Sequence, residues 1–235
     1  SFVFLALILS TLNLYVKNDL LFLLTRIILT SGLLLVLQLW FFRSKTGTPG
    51  AGDNMASTMI AFNLGKHYYS LKNTENELKN TRIIFASFDA EEEGLRGARA
   101  FVEKNKEFLT NTKTYVLNIE CLYDENSLFF LTSDINNTVK LSENLVDKLI
   151  EIGNLNNISL EKKDIAVLTG GTDAGEFGKI GVEATTIMGM PWTNNNRNTA
   201  YHTLNDTIDK VSVKAVENTI LIYSTFIDQL DKENE

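Results

Sequence analysis

A chain of 235 residues with a formal net charge of −7 has room for one good-sized domain and an appendage. The acidic balance, with no basic cluster, argues against a nucleic-acid partner. One cysteine, Cys121, rules out an internal disulfide framework and any cysteine-rich zinc module; beside a predicted strand, it is expected to be buried and inert.

Residues 1–42 differ from the rest. Phe2 to Val16 is almost wholly apolar, Lys17, Asn18 and Asp19 interrupt, and Leu20 to Phe42 is apolar again apart from Arg26, Gln38 and a few hydroxyls. The second run exceeds the roughly 20 residues that a hydrocarbon core requires. No basic region precedes the first run and no small-residue cleavage site stands out, which disfavours a signal peptide. The expectation is a membrane hairpin over residues 1–43, with the chain held at a membrane whose sidedness is not fixed; the less favoured alternative is a pair of buried helices in a soluble domain. Arg26 must then face a partner or snorkel. Arg43 and Lys45 follow the run and hint at a cytoplasmic flank.

From residue 44 to 235 the pattern is that of an α/β domain. Strand-like apolar runs are predicted at 82–88, 114–119, 128–132, 164–168 and 183–188, with helical periodicity at 54–70, 95–108, 138–153 and 213–230. This alternation predicts a three-layer αβα sandwich around a mostly parallel mixed sheet. In such folds a ligand crevice lies beyond the carboxyl ends of the strands.

The segment that falls there is Phe88 to Gly94, which contains Asp89, Glu91, Glu92 and Glu93. Consecutive carboxylates at the end of a buried strand repel one another and raise each other's pKa values. A cation among them removes that cost and leaves a neighbour free to move protons. A solvated acidic turn is the plainer alternative for an arbitrary Glu-Glu-Glu. Three further segments bear on the choice. Gly50 to Asn54 is glycine-rich and opens a helix, where Asp53 or Asn54 would ordinarily be an N-cap. Glu120 ends the strand Tyr115 to Ile119. His202, in a polar loop shortly before Asp206, is one of only two histidines; the other, His67, lies on a helix where a surface or packing role is the default. Asp, Glu, Glu and His near the strand ends of one sheet form a donor set suited to Zn²⁺.

The order and wording of these segments resemble the M28 family of zinc aminopeptidases. Pro49 to Asn54 resembles its bridging-aspartate motif, and Phe88 to Ala98 its catalytic-glutamate motif, the most specific of the matches. Glu120 occupies the place of its third acidic ligand. Gly171 to Asp173 with Phe177 resembles a loop near its substrate pocket, and Tyr201 to Thr203 its terminal histidine ligand. The likeness runs from about Gly47 to the C-terminus, roughly four-fifths of the chain. The resemblance implies that Asp53 bridges two zinc ions, that Glu91 is the general base, and that Glu92, Glu120 and His202 complete the metal shells. It also implies Tyr201 as a donor to the oxyanion and Asp173 and Phe177 at a substrate pocket. For Tyr201, an aromatic packed under the loop is an equal alternative. Met188, Met190 and Trp192 are further pocket candidates; any of these residues, Asp173 and Phe177 included, is also compatible with the core.

Two positions depart from the family pattern. Glu120 stands where the family has Asp, which moves the ligating oxygen by about one methylene, against a tolerance of roughly 0.5 Å. The family's His-x-Asp segment ahead of the glycine-rich turn has no counterpart: Leu39 to Thr46 contains no histidine, and neither does any residue from 1 to 52. The expectation is therefore a chain truncated at its N-terminus, with two zinc ions in the complete protein and as few as one here. The function expected is a membrane-associated, zinc-dependent exopeptidase acting on free N-termini of peptides. The alternatives are a single-zinc glutaminyl cyclase and an inactive, receptor-like binding module of the same fold.

Overall fold

The computed structural model describes residues 2–38, 46–167, 169–193 and 196–233. The chain divides into two compact units, Ser1–Gly47 and Thr48–Glu235.

The first unit is a pair of helices, α1 (Phe2–Tyr15) and α2 (Asp19–Gln38). Asn18 starts α2 by accepting a hydrogen bond from Leu21 N at 3.0 Å, a normal N-cap. Asn13 Nδ2 donates to Thr25 Oγ1 across the pair, and Phe2 lies against Gly32, where an added Cβ would come within 2.6 Å of its ring. Of all the side chains in the two helices only Thr25 is buried. Leucine, isoleucine, valine and phenylalanine face outward around both. α2 is long and apolar enough to cross a membrane by length and composition; α1 is shorter. Arg26 lies over the Phe22 ring at 4.6 Å. Arg43, Lys45 and the end of the second apolar run lie outside the described residues.

The second unit is a mixed five-stranded sheet between helical layers. Its strands are β1 (Tyr115–Leu122), β2 (Leu128–Asp134), β3 (Val139–Lys140), β4 (Glu161–Asp164) and β5 (Glu183–Gly189). The order is β1-β5-β2-β3, with β4 also on β2. β1 with β5 and β2 with β4 are parallel; β2 with β5 and β2 with β3 are antiparallel. The central strands β2 and β5 are buried on both faces, as a doubly covered sheet requires. Leu128 and Phe130 join one core with α3 (Ala56–Ser70), α5 (Glu143–Leu155) and α7 (Val213–Glu233). Phe129 and Leu131 join a second core with α4 (Arg96–Asn111) and α6 (Asp173–Gly178). This is the expected three-layer sandwich.

Several boundaries differ from the sequence expectation. The run 82–88 is not a strand: among the described residues it has no ladder partner, and Ile84 and Phe85 are exposed. Apolar β-branched composition makes a strand only where a neighbour supplies hydrogen bonds. Ile83 still packs on one core and Phe88 on the other. The predicted helix 138–153 begins at Glu143, because Val139 and Lys140 pair with β2 first. The strand predicted at 164–168 is observed at Glu161–Asp164, four residues rich in charge that lie along β2; residue 168 itself lies outside the described residues.

Candidate metal centre

Three loops and the end of β1 meet at one place. The first loop is the irregular turn Ala51–Met55 before α3, in which Asp53 and Asn54 leave helical geometry. Its position is set from below by Asp206. That buried carboxylate accepts from Gly52 N at 2.8 Å and Asp53 N at 3.1 Å, and its main-chain oxygen accepts from Ala51 N at 3.1 Å. Position 52 must be glycine here, since an added Cβ would lie 2.1 Å from the Tyr123 ring. Asp206 was legible only as a residue near His202; its role in holding the Asp53 loop is a tertiary fact.

The second loop is the acidic turn. Gly94 and Leu95 N–H groups bond back to Glu91 O at 2.9 and 2.8 Å, and Gly97 N bonds to Asp89 O at 3.0 Å. Gly97 lets the turn fold onto itself, because a Cβ there would meet Asp89 O at 2.3 Å. Arg99 ties the turn to α6, donating to Gly94 O at 3.0 Å and to Glu176 at 3.1 Å. The third loop carries Tyr201 and His202. The Tyr201 ring stacks on the imidazole at 3.9 Å and meets Trp192 edge-on at 5.5 Å, and Arg197 covers the Trp192 ring at 4.4 Å.

These loops bring His202 Nε2 to 3.0 Å from Asp53 Oδ2 and 2.8 Å from Glu92 Oε1. The imidazole is the hub of a rim-exposed group: the Glu92 side chain is 65% exposed, that of His202 46% and that of Asp53 13%. Hydrogen bonds to Asp53 and Glu92 raise the His202 pKa to about 10, and the bond to His202 lowers that of Glu92. In the protein alone a proton on the imidazole holds the two carboxylates together. A neutral imidazole nitrogen and two carboxylate oxygens around one point are the donor chemistry of Zn²⁺, so this group fits that ion.

A second group shares Asp53. Oxygens of Asp53 and Glu120 and the Cys121 sulfur all lie within 4.8 Å of one another. Glu120 is 8% exposed and Cys121 2%. Asn54 Nδ2 donates to Glu120 at 2.6 Å and Asn118 Nδ2 at 3.2 Å. Burial, and then the charges of Glu91, Asp53 and Asp173, push the Glu120 carboxyl well above its usual range. Burial also pushes the Cys121 thiol well up, with Asp53 and Glu120 adding to it. The sequence offered no sign that Cys121 would join these carboxylates.

Glu91 belongs to neither group but faces both. Burial raises its pKa to about 8, with further contributions from Glu92, Asp173 and Asp53. Asp173, at the start of α6, is buried beside it with Oδ1 unpartnered and its pKa raised to about 6, again mainly by burial. Phe177 does not line an opening: it is buried in the core between Phe88 and Phe101, with ring centroids at 6.0 and 6.1 Å. Met188 and Met190 are core residues too. Burial keeps the Tyr201 phenol neutral by raising its pKa. Glu93 is exposed.

The α/β unit thus gathers carboxylates and an imidazole, donors able to hold a metal ion, at the end of β1 and on the adjoining loops. The model of peptidase family M28 matches residues 41–227, and the chain belongs to that family. Among solved structures, it is similar to the Legionella pneumophila LapA aminopeptidase, with a TM-score of 0.63 and 18% identity over 80% of this chain and 49% of that one. It is likewise similar to a zinc aminopeptidase from Bacillus subtilis, with a TM-score of 0.59 and 18% identity over 78% and 44%. A glutaminyl cyclase from an Acidobacteriales bacterium gives a TM-score of 0.55 and 20% identity over 80% and 67%. The chain thus spans about half the length of the two aminopeptidases. No curated protein sequence matches it.

Proposed function

We propose that the α/β unit is a zinc-dependent aminopeptidase that hydrolyses N-terminal peptide bonds with Glu91 as general base. The observation that carries this reading is the convergence of Asp53, Glu92 and His202 around one point, with Glu91 beside them and unspent as a ligand. Membership of peptidase family M28 supports it. Asp53, Glu92 and His202 would hold one zinc, and Asp53 and Glu120 would contribute to a second. When bound, zinc makes water more acidic and polarises a carbonyl.

The remaining work falls to the protein. Glu91 takes a proton from the attacking water and returns it to the leaving amine. Its raised pKa in the protein alone makes it a carboxylic acid near neutrality; a nearby cation opposes that shift and favours the carboxylate. Tyr201 is a neutral hydrogen-bond donor that stabilises negative charge developing on the carbonyl oxygen. Asp173, a buried carboxyl facing Glu91, borders the space where the free N-terminus of a peptide would sit. Residues 1–42 hold the protein at a membrane through the outward apolar faces of α1 and α2, with α2 as the span.

Glu91→Gln in the full-length protein tests the assignment. Hydrolysis of an aminoacyl anilide is expected to fall by about 10²–10⁴ while zinc content is retained. Undiminished hydrolysis with zinc bound removes Glu91 from the role. One zinc per chain with cyclisation of N-terminal glutamine would instead make the protein a glutaminyl cyclase, the activity named for one similar structure. No metal and no turnover would make it a binding module.

A further inference from the structure

We propose that Cys121 is a metal ligand: its thiolate, with Asp53 and Glu120, forms the second zinc-class site of the centre. This rests on the zinc-enzyme reading above and names a donor that the motifs do not contain.

The argument begins with the parity of β1. Leu117 and Ile119 face the core under α3, α5 and α7, and Val116 faces the core under α4 and α6. Regular alternation would send Glu120 to the α4/α6 side and Cys121 back to the other. Instead Cys121 has φ 54°, a left-handed conformation uncommon for a side chain-bearing residue. The register with β5 skips there, between Glu120 and Leu122. One bulged residue puts two consecutive side chains on one face. Cys121 joins the α4/α6 core, and Leu122 returns to the other. Left-handed residues held by their surroundings are found at functional sites; Ala90, Leu95 and His202 on the neighbouring loops share that conformation with Cys121, as do Asn73, Ile135, Asn136, Asn137 and Asn157 elsewhere.

The bulge delivers the sulfur to within 4.8 Å of the Asp53 and Glu120 oxygens. Asp53 has His202 beside it, but Glu120 is enclosed with only amide donors, from Asn54 and Asn118. Among the described residues no cationic side chain pairs with Glu120. Buried charges are ordinarily paired or coordinate a metal. A second observation points the same way. The Tyr123 hydroxyl, two residues on, is buried among Cys121, Asp206 and Asp53, and although Asp206 is close enough to act on it, it makes no well-aligned hydrogen bond. One sulfur and two carboxylate donors select zinc, cadmium or cobalt over magnesium or calcium. As the metal–sulfur bond forms, the thiol proton leaves to solvent.

X-ray absorption of the zinc-loaded full-length protein tests this without reference to turnover. The expected result is two zinc ions per chain and a sulfur shell at about 2.3 Å, averaging one sulfur per two zincs. Cadmium titration should add a thiolate-to-metal absorption band that saturates at one equivalent. Cys121→Ala should lose the shell and the band and bind one zinc. Cys121→Ser, the closer replacement in size, should lose the same two signals while its metal-free melting temperature stays near that of the parent. Nitrogen and oxygen scatterers alone around bound zinc would overturn the proposal, and so would undiminished zinc content in Cys121→Ala. A single zinc with no sulfur, accompanied by hydrolysis, would defeat Cys121 as a ligand and leave the aminopeptidase reading standing. No zinc at all would defeat both.

Discussion

The two groups that share Asp53 are opposites. The rim group has its imidazole and Glu92 open to water, on two loops, with a proton on His202 already holding the carboxylates. The floor group is closed off at the end of β1, and the acid it does not share, Glu120, faces amides rather than a cation. A water-exposed cluster tolerates being empty, because solvent screens its charges. A buried one does not, because desolvation falls on the ionised forms. The rim is therefore expected to exchange metal readily, and the floor to hold it as part of the folded structure.

The most direct way to break this contrast is His202→Ala, which should abolish rim binding and leave the floor ion and its sulfur signal in place. Loss of both ions together, measured by metal analysis after dialysis, would show that the two groups are one cooperative site. Next in size is Asp206→Asn, which weakens the charged acceptor under Gly52 and Asp53. Because Asp53 serves both groups, affinity at rim and floor should fall together, by about 10–100-fold, as read by competition with a chromophoric chelator. An effect on the rim alone would mean that Asp53 is not shared. Gly97→Ala forces a Cβ against Asp89 O and should cost about 1–3 kcal/mol. Denaturant unfolding of the metal-free protein measures it, and a silent substitution would show that the acidic turn is not held as described.

The smallest effect sharpens the difference in charge state. In chelator-treated protein the stabilisation from His202, whose folded pKa is raised from 6.5 to about 10, is complete below pH 6.5 and lost as pH rises through about 10. Glu91, raised from 4.5 to about 8, acts in the same sense and is spent earlier, by about pH 8. Glu92, lowered by its bond to His202, contributes above its ordinary pKa and loses that share as pH falls. The melting temperature of the metal-free protein should therefore decline from mildly acidic pH toward pH 10. In His202→Ala the upper part of that decline should flatten; an unchanged slope there would assign it to other groups.

Much of the rim was legible. A glycine-rich turn with an aspartate, a run of glutamates closed by a glycine and one loop histidine are each weak signals, and their order made them a set. The layered fold was legible for the same kind of reason: helical and strand periods alternate along the chain, and burial on both faces makes the first four residues of β2 an unbroken apolar run. The run 82–88 misled because composition records the preference for a strand and not the presence of a neighbour. Phe177 was left between pocket and core by the sequence because an aromatic near a site reads alike in either place; the structure buries it in the core beneath the acidic turn.

By itself, then, the sequence determined the class of fold, the apolar helix pair and the residues able to hold a metal at the rim. Those properties rest on periodicity, length and residue chemistry, which are local. Tertiary structure decided that Asp206 sets the place of Asp53, that Glu91 stands free of both groups, and that Cys121 turns toward the carboxylates. Each depends on contacts between distant segments or on a single backbone angle. A period-two pattern assigns Cys121 to the wrong face; only the left-handed bulge, fixed by its neighbours, reverses it.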